Sequence, residues 1–397
     1  MHRLILKQGR EKSLLRRHPW IFSGAVERIH GAPEAGDTVE VATSQEKFLA
    51  YAAYSPHSQI VARVWDWNRD NRIDSKFFRD RLSRAIAARG ALVRESNAMR
   101  LVHGESDGLP GLVIDRYGDT LTMQVLTAGA ERWYQTCADI VLELTVAARV
   151  FERSDAEVRQ LEGLAPRVGV LRGSAPPERI KIKEGRLEFW VDVRSGQKTG
   201  FYLDQRVNRA RVGKLARDKE VLDCFCHSGG FALHGLANGA QSVLSIDSSA
   251  AALQLARENL ALNNLPENKA AWRDGDVFKM LRALRDDGKH FDLVILDPPK
   301  FAPTAAHARK AARGYKDINL LAFKVLRPGG LLATFSCSGG ISAELFQKII
   351  AGAALDAGVD AQIIEFFAAA PDHPVALNFP ESAYLKGLLC RISGSMV

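Results

Sequence analysis

The sequence predicts an α/β protein, with a parallel sheet and crossover helices over residues 186–397. A β-rich module (1–72) and a small central α+β module (73–185) precede it. Three observations carry this. Through the last segment, short apolar runs alternate with helix-like runs, the order that a parallel sheet requires. Through the first, apolar and polar residues alternate with period two between turn signals. Between them, one helical repeat is followed by a hairpin signal.

In the first module, Gly36-Asp37 of "APEAGDTVEVAT" reads as a turn before Val39 and Val41. "FLAYAAYSPHSQIVARVWDW" continues the alternation through Ile60, Ala62 and Val64, and the polar run "NRDNRID" closes it. The second module begins with "DSKFFRDRLSRAIAARG", where Phe77, Phe78, Leu82 and Ile86 share a helical face and Gly90 is a natural stop. "PGLVIDRYGDTLTMQVL" predicts two strands around Gly118-Asp119, and "AERWYQTCADIVLELTVAARV" predicts a helix. "GVLRGSAPPERIKI" reads as the linker. In the third module "EVLDCFC", "SVLSID", "FDLVILDPP" and "GGLLATFSCS" are strand-like, with helical runs such as "SAAALQLARENLALNNL" between them.

Composition limits the function classes. The chain has 397 residues, 46% hydrophobic and 25% charged, as in a globular protein. No apolar run reaches the roughly 18 residues that cross a bilayer. The charged start lacks the apolar stretch of an export signal. Five scattered cysteines, an odd number, point to a reducing cytoplasm rather than a disulfide framework. Residues 1–30 carry seven Lys/Arg against two Asp/Glu, and the chain's net charge is +8. A basic block beside Trp20 and Phe22 suits a phosphate-rich partner, with Arg16 and Arg17 as candidate contacts; a solvated charged face explains the charge equally.

In a parallel sheet with crossover helices, ligands sit at the carboxyl ends of the strands. Five features fall there. "DCFCHSGGF" places Asp223 at a strand end, then Phe225, Ser228 and the pair Gly229-Gly230, where the backbone can bend close to a ligand before a helix. It matches neither GxGxxG nor a phosphate loop. Asp247 ends the next strand, where a carboxylate accepts from a ribose diol. Asp276, after a third strand near Ala270–Trp272, is placed to accept from an adenine amino group. Either aspartate alone also reads as a helix cap. Together they point to a nucleoside, and the missing phosphate loop favours S-adenosylmethionine (SAM). "LDPPKF" gives a rigid turn after a buried strand. Asp297 and Pro298 then face the site, Phe301 can stack on a base, and Lys300 can reach phosphate or a base oxygen.

The fifth feature is Cys337 in "TFSCSGG", at the end of the strand that follows "LDPP". A thiol there meets a chemical need. Carbon 5 of a pyrimidine is a weak nucleophile. A thiolate that adds to carbon 6 makes carbon 5 electron-rich, so that it can take a methyl group; a base then removes its proton and the sulfur leaves. Asp297 would bond the cytosine edge near nitrogen 3 and the amino group. Amides after Gly339-Gly340, a helix N-terminus or a nearby lysine would raise the thiolate fraction, and the flanking serines add donors.

Other stretches are less specific. Cys224, Cys226 and His227 lack a second ligand pair at zinc spacing, so no metal is expected. In "KTGFYLDQR", Asp204 fits a helix N-cap with Gln205 and Arg206 in the first turn; that turn can also meet the amino-acid end of SAM. "RGYKDIN" reads as an RNA contact or as a solvated helix start. "DHPV" and "YLKG" are expected to shape the far wall of the site.

"GREKSLLRRHPWIFSGAVERI", "GESDGLPGLVIDRYG", "KTGFYLDQR", "CFCHSGGFA", "LDPPKF", "ARGYKDINLLA", "FSCSGGI" and "DHPV" closely resemble the bacterial 23S rRNA (cytosine-5-)-methyltransferase family, in order and over nearly the whole chain. The resemblance implies an N-terminal PUA domain, a small central α+β domain and a Rossmann-like class I SAM methyltransferase domain. It implies methylation of one cytosine in 23S rRNA or in a large-subunit precursor particle, in the cytoplasm, with no membrane; a homodimer stays open. It implies Cys337 as nucleophile, Asp297 at the head of the base-recognition motif, Asp247 and Asp276 on ribose and adenine, and Phe225, Ser228 and Gly229 in the cofactor loop. The chain departs from the family at His227-Ser228, where Tyr-Thr is usual, and at Gly340. Two competing readings need no thiol at 337: a base-nitrogen methyltransferase, acting on an exocyclic amine or guanine N7, and a non-catalytic RNA-binding assembly factor.

Overall fold

The computed structural model describes residues 2–90, 95–196, 198–302 and 308–395. The chain forms two compact units: Met1–Gly185 with Val191–Leu203 and Pro371–Ser382, and Arg186–Trp190 with Asp204–Ala370 and Ala383–Val397.

The first unit contains two sheets. One is built from β1 (Arg3–Leu6), β2 (Trp20–Phe22), β3 (Val26–His30), β4 (Thr38–Ala42), β5 (Phe48–Tyr54) and β6 (Ile60–Asp66), with a short helix α1 (Lys12–Leu15) between β1 and β2. The order is β2-β6-β5-β4-β1-β3, and only β1 and β4 run parallel. The period-two alternation has its expected result: Val39 and Val41 face inward with Leu4, Leu6 and Ile21.

Helix α2 (Ser75–Gly90) leads into the second sheet, formed by β7 (Ala98–His103), β8 (Leu112–Tyr117), β9 (Thr120–Val125), β10 (Arg149–Ser154) and β11 (Arg167–Arg172), in the order β11-β10-β9-β8-β7. β8 and β9 are the hairpin read from Gly118-Asp119, and Gly118 takes the left-handed φ of 61° that such a tight turn requires. Helix α3 (Ala128–Leu144) is shorter than its sequence suggested. Thr145 turns extended, and the "RV" (Arg149-Val150) that ends the predicted helical run opens β10, a strand paired on both sides. β12 (Ile180–Glu184) closes this part of the unit, and the next strand in the chain, β13 (Leu187–Val191), falls almost wholly in the second unit. The three-part division at 72 and 185 is kept as a proposal, supported by the separate sheets at 3–66 and 98–172.

The second unit has one seven-stranded sheet. Its elements are α4 (Arg206–Leu215), β14 (Glu220–Cys224), α5 (Gly230–Ala237), β15 (Ser242–Asp247), α6 (Ala250–Leu262), β16 (Ala270–Asp274), α7 (Val277–Asp286), β17 (Phe291–Leu296), α8 (Ala308–Lys324), β18 (Leu326–Ser336), α9 (Ala343–Ala357), β19 (Val359–Ala368) and β20 (Lys386–Ser395). The order is β16-β15-β14-β17-β18-β20-β19. The first five strands are parallel, and β20 enters antiparallel between β18 and β19. Alternate residues serve opposite faces. Leu222, Val294 and Leu332 pack with α7, α8 and α9, while Val221, Leu293 and Ala333 pack with α4, α5 and α6. The central strands β17 and β18 are covered on both faces and are apolar through their middles, whereas the edge strands β16 and β19 are partly exposed and keep polar residues such as Arg273, Gln362 and Glu365.

Candidate active site

The switch point of the sheet lies at β14, whose neighbours β15 and β17 are reached by connections on opposite sides. Register places the ends together: Cys224 pairs with Ile246 on one side and Leu296 on the other, so Phe225, Asp247 and Asp297 leave the sheet at one level. The amide of Asp297 still bonds the Cys224 carbonyl at 3.4 Å. One strand further, Leu296 pairs with Thr334, so β18 delivers Cys337 to the same rim.

Asp223 is fully buried near the end of β14. One oxygen, Oδ2, accepts from the Ala232 amide at 3.1 Å in the first turn of α5. The other, Oδ1, has no hydrogen-bond partner among the described residues. Burial pushes this carboxyl well above the usual range, and the charges of Asp297 and Asp247 push it further. The loop that follows is tightly wound. Phe225, His227 and Gly229 all have left-handed φ, at 61°, 48° and 80°. For an aromatic and a histidine this is strained backbone, of the kind held at binding sites. Asp247 helps to hold it: its Oδ2 accepts from the His227 amide at 2.8 Å and its Oδ1 from Ser249 at 2.9 Å. The two glycines have packing reasons. A Cβ on Gly229 would lie 2.9 to 3.0 Å from Leu233, Ala256 and Trp272, and one on Gly230 would lie 2.7 Å from Arg209. Ser228 is buried, its Oγ 3.2 Å from His227 Nδ1 and its carbonyl accepting from Asn259.

Asp276 is exposed and caps α7, Oδ1 accepting from the Lys279 amide at 2.9 Å, beside the β15 end that carries Asp247. Gln205 is buried. Its Oε1 accepts from Asn208 at 2.6 Å, and its Nε2 lacks a partner among the described residues. Residues 203–205 form a 3₁₀ turn, so α4 starts at Arg206 and its N-cap position belongs to Gln205, not Asp204. Asp204 instead accepts from the Tyr384 hydroxyl at 2.6 Å.

On the other side of the rim, Pro298 is buried, Asp297 half-buried and Lys300 exposed. The Phe301 ring leans on Tyr315 at 4.8 Å and Phe278 at 6.1 Å. Cys337 is half-buried, and the other four cysteines are buried. The hydroxyls of the serines beside it, both fully buried, meet that of Tyr315 in α8 at 2.9 Å; Ser338 also accepts from the Ala302 amide at 3.0 Å. "RGYKDIN" therefore lies within α8 beyond its first turn, with Tyr315, Ile318 and Asn319 in the core rather than at a solvated helix start. "DHPV" belongs to the first unit, where Asp372 Oδ2 accepts from the Arg100 amide at 2.9 Å. Arg16 and Arg17 also belong to the first unit and are exposed. Arg17 has a φ of 64°, and its guanidinium lies 5.3 Å from the Trp67 ring centre.

Residues 4–67 match a PUA-like domain, and residues 166–391 match an S-adenosylmethionine-dependent methyltransferase family model. The ribosomal RNA large subunit methyltransferase I of Tolumonas auensis is 50% identical over 97% of this chain and 98% of its own length. The chain belongs to the ribosomal RNA large subunit methyltransferase I family. The protein of that name from Shewanella amazonensis is 49% identical over 98% of this chain and 99% of its own. Among solved structures, a protein from Streptococcus mutans described as a SAM-dependent methyltransferase superposes with a TM-score of 0.85 at 20% identity, over 98% of this chain and 100% of that one. A second, SMU.776 complexed with SAH, gives 0.87 at 20% identity with the same coverage.

As a member of this family the chain is a SAM-dependent methyltransferase, and its residues fit the cofactor. SAM carries two cationic centres, the sulfonium and the ammonium, and one carboxylate. The buried Asp223 Oδ1 is an acceptor without a donor, and Asp247 and Asp297 add negative charge around it. The buried Gln205 Nε2 is a donor without an acceptor. Unpartnered buried groups of both kinds are costly unless a ligand completes them. Among the described residues, no cluster of His, Cys, Asp or Glu could hold a metal ion. Sequence reasoning missed Lys386 in "YLKG". Its Nζ donates to the carbonyls of Ser338 at 2.7 Å and Ile341 at 2.5 Å, on the loop that carries Cys337. Only the antiparallel register of β20 reveals this, and the motif alone does not carry that register.

Proposed function

We propose that the chain methylates carbon 5 of one cytosine in large-subunit rRNA, through a covalent adduct to Cys337. The observation that carries the reading is the placement of the one half-exposed cysteine. It follows β18 directly, one strand from Asp297, on the rim where Asp223 and Asp247 also end. The rRNA substrate is supported by the names of relatives at half identity, and by the exposed Arg16 and Arg17 in the PUA-like segment.

When bound, SAM supplies an electrophilic methyl group on its sulfonium. The chain's residues do the rest. Asp297 holds the cytosine edge, its carboxylate accepting from the amino group beside nitrogen 3. Cys337 sulfur bonds carbon 6, and the electron pair of the 5,6 double bond moves to carbon 5, which would take the methyl group as its bond to the sulfonium breaks and that pair returns to the cofactor's sulfur. A base then takes the carbon-5 proton, the double bond re-forms, and the sulfur departs as thiolate. Asp247 and Asp276, at adjacent strand ends, are assigned to ribose and adenine; the capping bond of Asp276 uses only one of its oxygens.

RNA bearing 5-fluorocytidine tests this. With fluorine in place of the removable proton, the adduct cannot resolve, and a denaturant-stable protein–RNA band is expected. Cys337→Ala should lose both the band and methyl transfer. Retained methylation in Cys337→Ala would assign the product to a base nitrogen instead.

A further inference from the structure

The thiol sits on a loop that is braced from behind and charged from one side. Tyr315, from α8, ties down the serines on both sides of Cys337. The charge comes from β20. Because β20 runs against β18, its first residue lies where β18 finishes, and Lys386 pairs in register with Ser336. From there its side chain turns over the loop and donates to the carbonyl of Ser338, the residue next to the thiol, and to that of Ile341. Both partners are neutral carbonyls. An ammonium held by dipoles alone, in a partly buried place, still favours an anion beside it.

We propose that Lys386 is the positioning residue for Cys337: its ammonium fixes the loop and stabilises the attacking thiolate. This rests on the covalent reading above. Two titratable groups bear on Lys386: the Cys337 thiol from the loop after β18, and Lys300 from the loop after β17. Tyr315, from α8, faces the same thiol. Burial, the largest influence, lowers Lys386 to about 8, a thiolate at Cys337 acts in the opposite direction, and Lys300 adds to the lowering. The side chain is therefore mostly charged at neutral pH and loses its charge a little above it. The assistance it gives is present below that range and fades as pH rises through it.

The test reads the thiol directly, without RNA. The full-length protein is alkylated with iodoacetamide from pH 6 to 10, and modification of Cys337 is followed by peptide mass spectrometry. Lys386→Met is expected to slow alkylation at pH 7 by about tenfold, the effect of removing one close opposite charge. Lys386→Gln, which keeps a donor but no charge, should be as slow. Lys386→Arg should recover most of the rate. Equal rates in Lys386→Gln and Lys386→Arg would leave only a structural hydrogen bond and overturn the proposal. Wild-type alkylation in Lys386→Met, with trapped methylated adduct accumulating on RNA, would also overturn it and make Lys386 the base. Should Lys386→Met not fold, the Gln and Arg pair decides alone. Failure of the covalent reading is seen separately, as methylation that survives Cys337→Ala.

Discussion

Asp223 concentrates the site's electrostatics in one side chain. Its folded-state proton affinity is raised by burial first and by two neighbouring carboxylates second. The native state therefore keeps a proton that the unfolded chain releases above its ordinary carboxylate range. Stability accordingly falls as pH rises from about 4, the ordinary Asp value, to the raised one. Asp223→Asn should flatten that slope in urea titrations across mildly acidic pH. It should also weaken SAM binding by about ten- to a hundredfold by calorimetry, the cost of one charge-assisted contact. The strand-end positions of some candidate residues were legible in the sequence because they are set locally. Asp297 follows a buried strand and precedes two prolines; Cys337 follows a strand and precedes two glycines. Ser336 and Ser338 were not, since nothing near them in sequence shows that a tyrosine on α8 claims both hydroxyls.

At the scale of elements, the loop from Phe225 to Gly229 holds three left-handed residues in five positions. Its shape is fixed by what packs behind it as much as by any ligand. Gly229→Ala adds both backbone strain and a Cβ pressed on Ala256 and Trp272, so it should cost about 1–3 kcal/mol in chemical denaturation. Tyr315→Phe removes the oxygen shared by two buried hydroxyls and should cost about 1–3 kcal/mol by the same measurement. It should also reduce the trapping rate more than SAM affinity, because the loop it braces carries the sulfur. The central strands of the parallel sheet could be read from the sequence, since strands buried on both faces are apolar through their middles. The end of α3 could not. Its apolar pattern runs on past Thr145 into β10, and only the place of β10 between β9 and β11 decides where helix gives way to strand.

The whole molecule is basic, with a net charge of +8, and the exposed Arg16 and Arg17 add to its charge near α1. RNA affinity should weaken steadily with salt, and replacing both arginines with glutamate should lower both the affinity and the salt slope in filter binding. The chain passes between its two units after residues 185, 190, 203, 370 and 382. A boundary drawn at 185 thus removes segments that the first unit uses. Thr199 bonds Asp115 at 2.6 Å and Tyr117 at 2.8 Å, and Asp372 bonds the Arg100 amide. A fragment of residues 1–185 should therefore unfold at lower urea than the same unit within the full chain. The antiparallel β20 has a consequence for synthesis as well. Lys386 follows every other residue proposed for the active site, and among the described residues β19 pairs with β20 alone. A nascent polypeptide emerging from the ribosome can form the cofactor-binding strands early. Residues 386–395 arrive last, so under the proposed mechanism an unfinished chain with its cofactor strands in place still lacks the lysine that primes Cys337.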